Sequence, residues 1–252
     1  PTPGRGKRND PAFIRHTIEA VATIKDLSFD DVSRITERNA RRFFGMPLTT
    51  GDQARIAYPI RDSLYLNLTN RCTLRCTFCH KWTDFEVKGH DLKLHGEPSV
   101  EDIEAAIESS DLARYREVVF CGYGEPLLRL DTVKAVAGWL KQRGMRVRIN
   151  TDGLSSLVHG RDVPGELAGL VDTLSVSLNA PDRVTYARVC PSRFAEAGHD
   201  AVCAFIRRAA QVIPEVIASV VALPGLDIEA CRQLAEGDLG VPLRVRELDL
   251  LG

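Results

Sequence analysis

Ser63-Leu64-Tyr65-Leu66-Asn67-Leu68-Thr69-Asn70-Arg71-Cys72-Thr73-Leu74-Arg75-Cys76-Thr77-Phe78-Cys79-His80 is the stretch on which the reading of this 252-residue chain turns. Its first half alternates. Leu64, Leu66 and Leu68 share one face of an extended segment, and Tyr65, Asn67 and Thr69 share the other. The strand predicted over 63–69 runs directly into Cys72, Cys76 and Cys79, three cysteines within eight residues. Three thiolates on one loop suit an iron–sulfur cluster, which normally takes four cysteines, so one iron is left open. Two other readings stand beside it. A structural zinc ion normally has four protein ligands, and His80 is awkwardly placed as the fourth because it adjoins Cys79. Cys76-Thr77-Phe78-Cys79-His80 also matches the C-x-x-C-H pattern of c-type haem attachment, which leaves Cys72 unexplained and usually accompanies export.

Working outward, short apolar strands alternate with helices. Strands are predicted at 63–69, 117–121, 145–151, 172–179, 216–223 and 243–248. Helices are predicted at 100–113, 131–143, 197–212 and 228–236, with weaker signals at 166–170 and 182–189. Ser99 with Asp102 reads as a capping box, Asp131 as an N-cap, and Gly144 and Gly237 as residues just past helix C-termini. Repeated strand–helix units imply a parallel sheet with right-handed crossovers. Six units are too few to close an eight-stranded barrel. The expected fold is α/β, a partial (β/α)6 barrel.

Ahead of it, Asp10-Pro11 starts a helix in which Ile14, Ile18, Val21 and Ile24 recur at helical spacing as far as Lys25. A second helix begins at Asp30 and ends near Gly45. Residues 1–45 thus read as a helical hairpin, 46–62, with Pro47, Gly51 and Pro59, as a linker, and 63–252 as the main domain.

Strand parity adds a functional clue. Arg146, Arg148 and Asn150 oppose Val147 and Ile149; Ser175, Ser177 and Asn179 oppose Leu174, Val176 and Leu178; Arg244 and Arg246 oppose Leu243 and Val245. Helices packed outside a barrel claim the apolar faces, so the polar faces are expected to look inward onto a cavity for a charged ligand. There Arg244 and Arg246 are candidates for bidentate capture of a carboxylate or phosphate.

Composition narrows the classes. A formal charge of −1 argues against a bulk electrostatic grip on nucleic acid or an anionic membrane, although local basic patches keep nucleic acid open. The longest apolar stretch, about a dozen residues around 216–226 and broken by Pro224, falls short of the roughly 20 that a membrane span needs. No apolar leader is recognisable, so the expected location is the cytoplasm, a reducing compartment in which clustered cysteines bind metal more often than they form disulfides. Cys121 reads as a core residue, Cys190, Cys203 and Cys231 lack paired spacing, and His90 and His95 read as solvated.

The cysteine spacing is joined by Cys121-Gly122-Tyr123-Gly124-Glu125-Pro126, Asn150-Thr151-Asp152-Gly153 and Ser175-Val176-Ser177-Leu178-Asn179, each at the end of a predicted strand. Together the four segments resemble the radical S-adenosylmethionine superfamily. Tyr123 stands where glycine is commoner. The resemblance implies that Cys72, Cys76 and Cys79 hold a [4Fe-4S] cluster and that S-adenosylmethionine chelates its open iron. It implies that the backbone of Gly122, Tyr123, Gly124 and Glu125 receives the methionyl amino group. Phe78 is placed against the adenine, with Val221 and Leu223 as neighbours, and Asn150, Ser177 and Asn179 against the ribose and carboxylate. An electron from a donor such as flavodoxin or ferredoxin then yields methionine and a 5′-deoxyadenosyl radical, which abstracts hydrogen from an unidentified substrate.

Residues 64–72, 177–182 and 223–230 are further similar to small radical enzymes linked to TatD-type hydrolases. Residues 4–11 and 35–45 resemble the C-terminal tail of those metal-dependent hydrolases, with Gly4 in place of a histidine. The chain thus resembles the downstream part of a hydrolase–radical enzyme fusion, partnered by a hydrolase domain, fused or adjacent, and without hydrolase activity of its own. A non-catalytic zinc or redox-sensing module accessory to the hydrolase is the alternative.

Overall fold

Leu64 and Leu66, Val118 and Phe120, Val147 and Ile149, and Leu174 and Val176 all point to one side of a single sheet and are fully buried there. The computed structural model describes residue 6, residues 8–47 and residues 55–248. Arg5, Lys7 and Gly51 fall outside the described residues.

The strands are β1 (Ala57–Ile60), β2 (Ser63–Leu66), β3 (Glu86–Val87), β4 (His90–Asp91), β5 (Glu117–Phe120), β6 (Arg146–Thr151), β7 (Thr173–Ser177), β8 (Glu215–Val221) and β9 (Leu243–Arg246). The large sheet runs β1-β2-β5-β6-β7-β8-β9, with every neighbour parallel except the antiparallel β1–β2 pair. β3 and β4 form a separate small hairpin. This is the expected open array of six parallel strands, without closure into a full barrel.

The helices are α1 (Ile14–Lys25), α2 (Phe29–Phe43), α3 (Val100–Glu108), α4 (Leu130–Gln142), α5 (Ser155–His159), α6 (Val163–Leu167), α7 (Arg183–Val189), α8 (Ala197–Val212) and α9 (Ile228–Arg232). Ile103 and Ile107 of α3, Val133, Val136, Ala137 and Leu140 of α4, and Ile206 and Ala209 of α8 cover the apolar face of the sheet. Each large side chain buried this way contributes about 1.5–3 kcal/mol, so the pleat has one strongly preferred orientation.

The caps are side-chain hydrogen bonds. Asp102 N donates to Ser99 Oγ (3.1 Å) and Ser99 N donates back to Asp102 Oδ2 (2.9 Å). Ser28 and Asp31 form the same reciprocal pair at the start of α2. Asp10 accepts from Ala12 N at 2.8 Å, with Pro11 in the first turn. Asp131 is not an N-cap; Arg129 occupies that position, and Asp131 lies in the first turn, where a carboxylate suits the helix dipole. Gly144 takes the left-handed conformation expected past α4, but Gly237 does not; α9 continues in a wider turn to Asp238 and Gly240 adopts φ +67° instead.

The stretch 46–62 is more than a connection, because it contains β1. Pro59 disguised that strand, and an edge position is where a proline is tolerated. α2 is tied to the β3–β4 hairpin by ion pairs of Arg38 and Arg42 with Glu86, and Arg34 Nε donates to Lys88 O (3.0 Å). The apolar stripe of α1 is left open, with Ile14 61% and Ile24 79% exposed; Phe43 and Phe44 at the end of α2 are 83% and 71% exposed.

His95 is solvated as expected, but His90 is buried, its Nε2 3.0 Å from Pro59 O. Burial, and then the charge of Arg34, bring its pKa down to about 4. Between pH 6.5 and about 4 the unfolded chain therefore binds more protons than the folded one, and stability falls as the pH falls through that window. His90→Gln, which keeps an N–H donor for Pro59, should flatten the loss of urea midpoint between pH 7.5 and pH 5. An unchanged pH slope would assign the effect elsewhere.

Candidate active site

The cysteine loop leaves β2 and is held by the segment that follows β7. Arg75 N donates to Pro191 O (2.8 Å) and Thr77 N donates to Val189 O (2.9 Å), so the loop lies along the segment that follows α7. Cys72, Cys76 and Cys79 line a cavity of about 440 Å³ at the C-terminal ends of the parallel strands. Phe78, Gly122, Tyr123, Gly124, Glu125, Asn150, Ser177, Asn179 and Val221 line the same cavity. Leu223 does not. It lies past the end of β8, half-buried against the core, because the strand stops at Val221 and the chain turns away.

The Gly122–Glu125 loop is shaped by close backbone approach. A Cβ at Gly124 would stand 2.1 Å from Thr69 O and 2.5 Å from Arg71 O, and one at Gly122 would stand 2.3 Å from Asn67 Oδ1. No side chain fits at Gly124 without displacing backbone. Glu125 N donates to Arg71 O (2.8 Å), which closes this loop onto the cysteine loop. The Glu125 carboxylate is buried and accepts from Leu127 N (2.9 Å), Thr151 Oγ1 (2.9 Å) and Asp152 N (2.6 Å). It is therefore a clamp between the β5 and β6 loops. Burial, reinforced by the neighbouring Asp152, holds its carboxyl well above the usual range. Tyr123 has a role of its own in this chain. Its hydroxyl donates to Glu86 O (2.7 Å) and its ring meets Phe85 edge-on at 5.7 Å, so it pins the β3–β4 hairpin beside the site.

Most inward-facing residues of the sheet are polar, with Val119, Ile217 and Val221 as the apolar members of that face. Tyr65, Arg148, Asn150, Ser175, Ser177, Ser219, Arg244 and Arg246 all line the cavity. Deep inside, Arg148 donates to Glu117 Oε1 (2.9 Å) and Tyr65 Oη (3.3 Å), which neutralises its charge. Cys121 lines this cavity rather than the outer core, because β5 ends at Phe120. Cys203 and Cys231 are buried in the core. Cys190 is buried too, yet its Sγ lies 3.5 Å from Cys76 Sγ. No sequence spacing reports that pairing, since the fold alone brings residues 76 and 190 together.

A family model described as the Radical SAM superfamily matches residues 66–236, which include the cysteine loop, the Gly122–Glu125 loop and the strands behind them. The chain belongs to the Radical SAM superfamily. It is similar to the GTP 3′,8-cyclase of Mycobacterium sp. (strain KMS), 31% identical over 147 residues, 58% of this chain and 39% of that protein. The solved structure of Streptococcus suis SuiB shares the fold, with a TM-score of 0.56 and 14% identity over 97% of this chain and 47% of that one. A model for TatD related DNase matches residues 1–45. There the chain is 41% identical over 44 residues to the uncharacterized metal-dependent hydrolase YabD of Bacillus subtilis, 18% of this chain and 17% of that protein. The chain thus spans well under half the length of either relative.

Membership of the Radical SAM superfamily implies a [4Fe-4S] cluster and S-adenosylmethionine, and the residues present fit both. Burial pushes the Cys72 thiol up to about 12 and raises Cys79, while Cys190 and then burial raise Cys76. Bare thiolates are thus disfavoured here, and a cationic iron core supplies the charge that stabilises them. Asn179 Oδ1 and Asp152 Oδ2 are buried without a hydrogen-bond partner, as acceptors awaiting a polar ligand are.

At the β9 end of the cavity, Arg244 and Arg246 form no ion pair with a described residue, and burial followed by the proximity of Arg244 lowers the Arg246 pKa. Two neighbouring guanidinium groups not engaged in an ion pair with a described residue predict anion binding, even with Glu247 on the same rim. Charge-assisted hydrogen bonds contribute about 1.5–3 kcal/mol each. Inorganic pyrophosphate should therefore bind the chain in calorimetry, and the Arg244→Ala/Arg246→Ala double variant should bind it roughly tenfold or more weakly. Equal affinity in the two proteins would remove these arginines from any ligand site.

Proposed function

We propose that this chain is the catalytic part of a radical S-adenosylmethionine enzyme that abstracts hydrogen from a substrate bearing an anionic group. The observation that carries this reading is the convergence of Cys72, Cys76 and Cys79 with the glycine loop and the polar strand faces on one cavity. In this reading the three thiolates hold the cluster. The backbone of Gly122, Tyr123, Gly124 and Glu125 meets the methionyl amino group, and Asn150, Ser177 and Asn179 meet the ribose and carboxylate. Phe78 and Val221 provide the apolar surface for the adenine. When bound, the cluster and cofactor together supply one-electron reductive cleavage of the sulfonium bond and a 5′-deoxyadenosyl radical.

The chain's own residues orient and seal. Gly124 lets the loop approach the cysteine segment, the Glu125 clamp fixes the two neighbouring loops, and Tyr123 holds the β3–β4 hairpin against the cavity mouth. Arg244 and Arg246 orient the anionic group of the substrate. The electron comes from a low-potential carrier such as flavodoxin or ferredoxin.

In this reading residues 1–45 belong to a TatD-type hydrolase and the radical domain begins with β1, which pairs with β2 in the main sheet, making this a TatD-linked radical enzyme. The exposed Ile14, Ile24, Phe43 and Phe44 support this, since a hydrolase body is the natural cover for an apolar face on a hydrolase-like hairpin. The location assigned is the cytoplasm; among the described residues no helix is long and apolar enough to cross a membrane.

The anaerobically reconstituted chain, given dithionite and S-adenosylmethionine, should release methionine and 5′-deoxyadenosine, and the Cys72→Ala/Cys76→Ala/Cys79→Ala variant should release neither. Cofactor left intact by an iron-loaded wild-type chain would overturn the reading.

A further inference from the structure

Cys190 follows α7 directly, and its contacts are specific. Its Sγ is 3.5 Å from Cys76 Sγ. Asn179 Nδ2 donates to it at 3.2 Å. The two backbone bonds from Arg75 N to Pro191 O and from Thr77 N to Val189 O bracket this contact on both sides. The approach is therefore imposed by the chain and is not a chance rotamer of one surface thiol. Asn179 is itself constrained, with φ +61° and 2% exposure. Its Nδ2 is committed to Cys190, while its Oδ1 is buried without a partner at the cavity. Asn179, Cys190 and Cys76 thus form a polar chain from the cavity wall just past β7 to one of the three cysteines.

We propose that Cys190 is a positioning residue for the cluster ligand Cys76. Its thiol donates a hydrogen bond to the Cys76 sulfur, with Asn179 donating to Cys190 in turn. This rests on Cys76 being a ligand and adds a tuning role that ligand identity alone does not supply. Hydrogen bonds to ligating sulfurs are one of the levers that set cluster potentials. The reduced cluster carries one more negative charge on its sulfurs, so a donor at Cys76 stabilises the reduced form more than the oxidised form. Cys190 therefore raises the reduction potential, making the cluster easier to reduce.

The test is redox titration of the reconstituted wild type, Cys190→Ala, Cys190→Ser and Cys203→Ala, with iron and sulfide counted for each. Cys203 is a buried core thiol away from the cavity and controls for packing. Cys190→Ala should hold the wild-type amount of iron with a more negative midpoint. Cys190→Ser, which keeps a donor, should return most of the shift, and Cys203→Ala should show none. An unchanged midpoint in Cys190→Ala, or an equal shift in all three variants, overturns the proposal. If the variants fail to load, the iron-free chain decides. One equivalent of hydrogen peroxide should join Cys76 to Cys190, two thiols and one peroxide giving a disulfide and two waters, as mapped by peptide mass spectrometry. Cys76 found joined to another cysteine, or left reduced, overturns the contact. A wild-type chain that binds no iron fails the functional reading itself, whereas the peroxide result still reports on the thiol pair.

Discussion

A β-strand has two faces, and in this molecule the helices take one of them. Leu64, Leu66, Phe120, Ile149, Leu174 and Val176 are held outward by α3, α4 and α8, and a one-residue slip in β6 or β7 would exchange Ile149, Leu174 and Val176 for Arg148, Asn150, Ser175 and Ser177. The inward direction of Tyr65, Arg148, Asn150, Ser175, Ser177, Ser219, Arg244 and Arg246 follows from that constraint. The cavity has a polar floor because the strand faces that line it are the ones the core rejected, while Phe78 and Val221 give it an apolar side. A barrel interior filled with branched aliphatic side chains would leave no room for a cofactor.

The strand ends then need fixing to one another, since loops are the most mobile connections in such a fold. Glu125 does this between the β5 and β6 loops, through three hydrogen bonds made from a buried carboxylate. The link between Glu125 N and Arg71 O continues the connection to the cysteine loop, and the bonds to Val189 and Pro191 continue it to the segment that follows β7. A second line of contacts enters from outside. Arg38 and Arg42 of α2 pair with the Glu86 side chain, and the backbone carbonyl of the same residue accepts from Tyr123. The hairpin of α1 and α2 is thereby joined to the glycine loop through a single residue, Glu86.

Much of this was legible in the chain itself. Period-two alternation marks the strands and their facing, and the three-cysteine spacing with the segments at 121–126, 150–153 and 175–179 marks residues that the fold brings to one cavity. What escaped has physical causes. β1 was hidden by Pro59, whose missing donor is harmless only because the strand is at an edge. The burial of His90 has no sequence signature, because it sits in a hairpin of two-residue strands too short for a periodic signal and is covered only by tertiary packing. Leu223, given by the resemblance as a neighbour of the adenine, lies beyond the end of β8 at Val221, a boundary that the continuous apolar run does not mark. The Cys76–Cys190 contact spans 114 positions, and no local pattern encodes it. Tyr123 was visible only as a departure from glycine; its purpose required the position of Glu86.

The central claim is that three thiolates leave one iron of the cluster open for the amino-acid end of S-adenosylmethionine. Mössbauer spectroscopy of the chain reconstituted with iron-57, recorded with and without the cofactor, tests it most directly. One iron of the four should change its isomer shift when S-adenosylmethionine binds, while the other three stay as they were. Four irons indifferent to the cofactor, or a chain that takes up zinc and no iron, would contradict it.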